Sequence, residues 1–498
     1  MTVSDVGYRT AYLSGQLLNL KSQLDDLQTQ LATGKRATTY AGMGVNRGFA
    51  IGLRAQVSNI DSYADTITNV TTRISVANAA LTRLSGIGTE VRGAATTSTI
   101  QLNNNGQTTS QTTAQNSMAE MLQLLNVQSG DRYLFSGRAT NTPATASMND
   151  ILNGVGAQAG LKQLMAERKQ ADLGSGTGRM TVGAPTATSI SLTEDAGPFG
   201  LKLSSVAASN AAVSVTAPAG SPATESLDLG ATNPSNGDSF TFVFKLPDGT
   251  SENIQLTATT ATPPQAGQFS IGANSTATAA NLKAALTTSV GTLANGALVA
   301  ASALKASSEF FTGAPPPRVS GPPFNTATAQ VPGTAANTLS WYTGETGTDP
   351  ARGTATARVD DSITVQYGAR ANEQAITWQL QNIAAFAAVT TSTSDPNANA
   401  QVTALNQRIA QNLSVQTGQQ TIQDIEADLA GAQTAMKSAS DRQTQTKSTA
   451  QTMLDSIEGI SANEVATKIL SLQTSLSASY QTTAMLYQTS LLKYLPPA

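Results

Sequence analysis

The sequence predicts an α+β protein: a discontinuous, coiled-coil-like helical domain built from both chain ends, with a β-rich outer domain inserted between them. Three observations carry this. The stretch "LSGQLLNLKSQLDDLQTQLATGKR" places Leu13, Leu17, Leu20, Leu24, Leu27 and Leu31 at alternating steps of four and three, the spacing of a coiled-coil seam. The closing stretch repeats the stripe with Val465, Ile469, Leu472, Leu476, Tyr480, Tyr487 and Leu491. Between the ends the composition shifts to Pro, Gly, Thr and Ala, and nearly all of the 19 prolines fall there.

The first helical half is residues 1–137. After the opening seam, "ATGKRATTYAGMGVNRG" reads as a loop. A second long helix follows, with Leu53, Val57, Ile60, Ala64, Ile67, Thr71, Ile74 and Leu81 at helical spacing and Leu84 and Val91 continuing after a phase shift. "TTSTIQLNNNGQTTSQTTAQ" has no periodicity. A shorter helix, "AQNSMAEMLQLLNVQS", then carries Met118, Met121, Leu122 and Leu125 on one face.

The inserted region is residues 138–367. "SFTFVFKLPDGTSENIQLTA" is its clearest hairpin: Phe240, Phe242, Phe244 and Leu246 alternate, Pro247–Gly249 turns, and Ile254 and Leu256 return. "TATAANLKAALTTSVG" is a short amphipathic helix, and "GAPPPRVSGPPFN" is a proline-rich connector. With aromatics at 5%, the expected cores are weak and built from Leu, Ile, Val and Ala.

Residues 368–498 are the second helical half. Ile376, Leu380 and Ile383 form one stripe, and Ile422, Ile425, Leu429 and Met436 form another that runs on towards Leu454 and Ile457. Gly459 marks a break, after which Ser461 and Glu464 make a capping box. A seam of six leucines gains nothing on a lone helix. Burial of each contributes roughly 1.5–3 kcal/mol, so a partner is strongly favoured, and the closing helix is the simplest one.

Composition excludes several chemistries. The 498 residues contain no His and no Cys, so His-based triads, His-ligated zinc, thiol catalysis and disulfides are ruled out. Net charge is −3 without a large charged block, which argues against nucleic acid as a partner. No run of about 18 apolar residues is seen, so no membrane insertion is expected. The N-terminus lacks a positive region followed by an apolar core, and no signal peptide is expected.

Candidate acids are the pairs Glu194–Asp195 and Asp360–Asp361. Neighbours on a strand point to opposite faces, so neither pair converges as glycosidase carboxylates must. "GSGTGR" (174–179) lacks the Walker Lys-Ser/Thr ending and reads as a loop. Trp341 and Tyr342 in "LSWYTGETG" offer a binding platform, although packing against the β domain is the simpler role. No enzyme activity, cofactor or metal is expected.

"QLATGKR" after a heptad helix, followed by "GFAIGLRAQVSNIDSYADTITNVTTRISVANAALTRL", resembles the N-terminal domain of bacterial flagellins. "GDRYLFSGRATNTPA" (130–144) and "RVDDSITVQYGARANEQAITWQLQNIAAFA" (358–387) resemble hook-associated protein 3, the flagellin relative at the hook–filament junction. "TSLSASYQTTAMLYQTSLLKYL" resembles the family's terminal helix. The loop "ATTYAGMGVNRG" lacks the acidic pair flagellins usually carry there. The resemblance implies a structural subunit of the bacterial flagellum, either the junction protein or a flagellin. It implies secretion by flagellar type III export without a cleaved signal peptide, and self-assembly through the terminal helices. The implied partners are copies of itself, a neighbouring hook-associated protein and flagellin, and a cytoplasmic export chaperone at the C-terminal helices. The alternative is an exported adhesin or glycan-binding protein with a helical stalk.

Overall fold

The computed structural model describes residues 3–97 and 100–492. Its helices are α1 (Val3–Thr33), α2 (Arg47–Thr97), α3 (Thr109–Leu125), α4 (Met148–Asn153), α5 (Leu161–Leu173), α6 (Ser275–Leu293), α7 (Val299–Thr312), α8 (Gln374–Ala388), α9 (Ala398–Asn412), α10 (Ile422–Glu458) and α11 (Ala462–Leu492). The α+β class is as expected: long helices at both ends and a strand-rich region between them in the chain. Two compact units form. One comprises Met1–Asn69, Arg358–Val365 and Thr434–Ala498; the other comprises Val70–Ala357 and Gln366–Gln433.

In the first unit α1 and α11 pack along one another. Gly34, at φ +69°, ends α1 in a conformation that L side chains rarely adopt. The chain beyond it is tied to the α10–α11 turn. Arg36 N donates to Glu458 O at 2.7 Å, and Ile460 N donates to Gly34 O at 3.2 Å. A side chain at Gly459 would meet Asp455 O at 2.3 Å, so this tight turn needs glycine. Only half of the expected capping box forms: Glu464 N donates to Ser461 Oγ at 3.4 Å, while the Glu464 carboxylate turns to Lys468 at 2.6 Å. The segment Arg358–Val365 is held by Gln443 Nε2, which donates to Val359 O at 2.6 Å, and by an Arg442–Asp360 ion pair of 2.9 Å.

The second unit contains two four-stranded sheets. Their strands are β1 (Met180–Gly183), β2 (Ser189–Glu194), β3 (Lys202–Ala208), β4 (Ser214–Gly220), β5 (Ala223–Asp228), β6 (Ser239–Lys245), β7 (Ser251–Thr259) and β8 (Gln268–Ser270). The first sheet has the order β1-β2-β5-β4 and is antiparallel throughout. The second has the order β8-β7-β6-β3, with only β7–β8 parallel. The predicted hairpin is β6–β7, with Phe242 opposite Ile254 and Phe240 opposite Leu256.

Ile190, Leu192 and Leu227 of the first sheet, Phe240, Phe242 and Phe244 of the second, and Leu282, Leu286 and Val290 of α6 form one hydrophobic cluster. This corrects the expectation of weak aliphatic cores. Of the 11 phenylalanines, eight (Phe135, Phe199, Phe240, Phe242, Phe244, Phe269, Phe310 and Phe386) are among the largest fully buried side chains. A low aromatic fraction says nothing about where the aromatics are spent, and here each buries a large area.

Three further expectations are revised. The helix α3 begins at Thr109, inside the stretch read as loop, because Thr108 and Gln111 form a reciprocal capping box. The "GAPPPRVSGPPFN" segment is more than a connector. Arg318 and Val319 pair with Gln330 and Val331, and Arg318 forms a buried ion pair with Glu167. The stretch Ser275–Thr312, α6 running through a π-helical turn into α7, does reach the length and mean hydropathy of a membrane span. Its Leu282, Leu286, Val290 and Leu298 are spent in the hydrophobic cluster instead.

Candidate assembly surface

The seam side chains sit where the α1–α11 pairing alone does not cover them. Leu13, Leu17, Leu20, Leu24 and Leu27 are each half-buried, and Leu31 is 41% exposed. On α11, Val465 and Ile469 are buried and Leu472 and Leu476 half-buried. Tyr480, read as part of the stripe, is 55% exposed. Steps of four and three from Leu472 run through Leu476 to Ser479 and Thr483, which are the half-covered positions. Tyr480 lies one residue, about a quarter-turn, off that line. The side chains of Tyr487 and Leu491 lie outside the described residues. On α2, Leu53 and Val57 are half-buried, Ile60, Ile67 and Ile74 are buried, and Ala64 and Thr71 face outward. Val70, which the periodicity passed over, is buried in the place expected for Thr71.

The sequence reading missed a second apolar set in the first unit. Leu18 is 69% exposed, Phe49 71% and Val45 97%, and Tyr8, Tyr12, Leu470 and Met485 are also exposed. These residues lie off the stripes, so periodicity skipped them. The available signal was simpler: large apolar residues on the outer faces of helices otherwise rich in Gln, Ser and Thr. Apolar area of this kind marks interaction surfaces.

Few charges interrupt it. Arg54 meets Glu458 through two contacts, Nε–Oε1 at 2.9 Å and Nη2–Oε2 at 2.5 Å, with its guanidinium 5.5 Å from the Tyr40 ring centre. Lys447 pairs with Asp61, and Tyr63 donates to Asp361 Oδ1 at 2.8 Å. Arg442 beside Asp360 holds that carboxyl below its ordinary range, and Lys468 does the same for Glu464. These pairs join segments within the unit and arrange no convergent acids.

The other acidic candidates are likewise separated. Glu194 Oε2 accepts from Leu203 N at 3.0 Å, while Asp195 pairs with Arg179 at 2.7 Å. Residues 174–179 form the expected loop, with Gly174, Gly176, Gly178 and Arg179 all at positive φ. Trp341 is buried, its Nε1 donating to Phe311 O at 2.8 Å. Among the described residues no group of three or more acidic side chains is placed to hold a metal ion.

Both ends of the chain thus present long helices with partly covered apolar faces, and the N-terminal stretch can be set against known families. Residues 10–140 match the bacterial flagellin N-terminal helical region. That stretch of the chain is similar to the N-terminal helical region of bacterial flagellins. No curated protein matches the chain as a relative. The matched region begins inside α1, covers α2 and α3 and ends at Thr140, just past the "YLFSG" segment.

Proposed function

We propose that this chain is a flagellin-family structural subunit, exported and polymerising with copies of itself, that it stands at the hook–filament junction, and that the α1 and α11 faces are its polymerisation surface. The observation that carries the surface is the state of the leucine seam. Five of its six leucines are half-covered and the sixth exposed in the single chain, although α1 already has α11 beside it. The remaining apolar area favours burial against further copies, at roughly 25 cal/mol per Å².

The junction assignment rests on two segments. "YLFSG" (133–137) and "VQYGARANE" (365–373) resemble the junction protein more than a bulk filament subunit. Gly137 N donates to Ala369 O at 3.2 Å, and Ala371 N donates to Phe135 O at 2.8 Å. The two resembling segments are thus one paired structural element. On this reading the neighbours are a second hook-associated protein on one side and flagellin on the other, with an export chaperone engaging the C-terminal helices before assembly. The role is mechanical, without catalysis.

Immunogold labelling of intact flagella tests the placement. A single band at the distal end of the hook is expected, and label along the whole filament would make the chain a bulk flagellin. Leu20→Asp and Leu472→Asp test the surface. Each should abolish incorporation, and normal assembly of either variant would remove the seam from the interface.

A further inference from the structure

A cavity of about 540 Å³ opens within the second unit, inside the roughly 300–1,000 Å³ range of small-ligand sites. Its walls come from the end of α7, the 340–346 loop, the first turns of α8 and the loop before α10. The chain has two tryptophans, and both Trp341 and Trp378 line this cavity, together with Tyr342. Their indole nitrogens are already committed: Trp341 Nε1 to Phe311 O at 2.8 Å and Trp378 Nε1 to Asn412 O at 2.7 Å. The rings are therefore held in place; Trp341 is buried, and the half-buried Trp378 and Tyr342 offer an occupant apolar aromatic surface.

Apart from Phe311, Gly313 and Ala314, the rest of the lining is polar and uncharged. It carries the carboxamides of Gln374, Gln381 and Gln419 and several hydroxyls, and no Asp, Glu, Lys or Arg. Gln381 is only 6% exposed, and its backbone carbonyl accepts from Ser307 Oγ at 2.7 Å. Thr377, one turn earlier on α8 and 8% exposed, has an unpartnered hydroxyl. Buried amides elsewhere on α8 are paired: Gln379 donates to Leu84 O at 2.6 Å, and Asn382 accepts from Asn412 at 2.8 Å. An unpaired buried hydroxyl is costly and uncommon, so the placement of Thr377 on a cavity wall calls for an external partner.

We propose that this cavity binds a neutral saccharide. Carboxamides offer a donor and an acceptor side by side, which suits adjacent hydroxyls on a sugar ring. Fixed aromatic surfaces suit the ring's apolar C–H faces. The lack of ionic lining disfavours phosphorylated or carboxylated ligands, which need a counter-charge when desolvated. The cavity belongs to the second unit, and α1 and α11 belong to the first.

Because both tryptophans line the cavity, intrinsic tryptophan emission of the full chain reports on it directly. The probes are cellobiose, maltose and N,N′-diacetylchitobiose, with glucuronic acid and a proline-rich decapeptide as comparison arms. A saturable emission change with at least one neutral disaccharide is expected. Gln381→Met should weaken it about tenfold, the loss expected for one buried hydrogen bond. Gln374→Ala, at an exposed position, gives a second variant that leaves the core intact and should also weaken binding. The proposal is overturned if no neutral disaccharide gives a saturable change, or if both variants bind as tightly as the parent. Saturation by the peptide or by glucuronic acid alone would also overturn it.

Discussion

Arg54 and Glu458 lie 404 positions apart in the chain and meet in a two-point ion pair within the first unit. The Glu458 side chain is almost covered while Arg54 keeps two-fifths of its surface. The same glutamate's carbonyl oxygen accepts from Arg36 N, so a single residue ties α2, the end of α1 and the α10–α11 turn together.

Arg54→Met should therefore leave a nearly buried carboxylate without its partner and destabilise this junction by about 2 kcal/mol. Amide hydrogen exchange is the appropriate measurement, because Arg36 N and Ile460 N report on this joint alone. Their protection should fall while that of the β6–β7 hairpin stays unchanged. Unchanged exchange at both amides would show the ion pair to be incidental.

The exposed apolar set and the seam should respond differently to substitution. Leu18→Ser and Phe49→Ser remove side chains that make little contact in the single chain, so monomer stability should move by less than about 0.5 kcal/mol. Polymerisation should nevertheless weaken, raising the critical concentration measured by sedimentation. Should both variants polymerise as the parent does, these residues lie outside the subunit interface.

Glu225 gives the strand-rich region a pH dependence. It lies on β5 opposite Leu192, beside the irregularity in β4 between Thr216 and Ala219. It is 1% exposed, and neither carboxylate oxygen has a partner. Burial pushes its carboxyl up to about 7 from an ordinary 4.5. A carboxyl raised on folding favours the folded state most at pH below its unfolded value, and that contribution is lost as pH rises through the folded one. Thermal unfolding should therefore shift downward between about pH 5 and about pH 8. Glu225→Gln should flatten this part of the profile. A Gln variant with the parent's full slope would assign the dependence to other groups.

Two side chains at the start of α3 differ in reach. Thr108 caps α3 only, through Gln111 N. Gln111 returns the cap to Thr108 N and also donates to Val389 O at 2.8 Å, where α8 ends. Thr108→Ala should cost about 1 kcal/mol, and Gln111→Ala, which leaves two helix ends unsatisfied, about 2–3 kcal/mol. Urea unfolding of the two variants measures the difference, and equal losses would mean that the α8 contact is weak.

Much of the architecture was legible in the chain. The heptad leucines of α1, the Val465–Leu476 stripe of α11 and the alternating phenylalanines of β6 each follow from a local repeat, and periodicity depends only on neighbouring residues. The candidate surface was legible in part, since the seam was visible but Leu18, Val45 and Phe49 were not. Nothing in a local pattern says whether an apolar side chain off the stripe is covered by a distant segment.

The sequence by itself determined that both ends are helical with apolar stripes, that the middle is strand-rich, and that chemistry needing His or Cys is absent. The tertiary structure decided the rest: Val70 inside and Thr71 outside, Tyr480 off the stripe, and Arg54 joined to Glu458. It also gathered Trp341, Trp378 and Gln381 around one cavity from positions that share no motif. These outcomes depend on which distant surfaces meet, and a side chain's burial and hydrogen-bond partners are set by the whole packed chain.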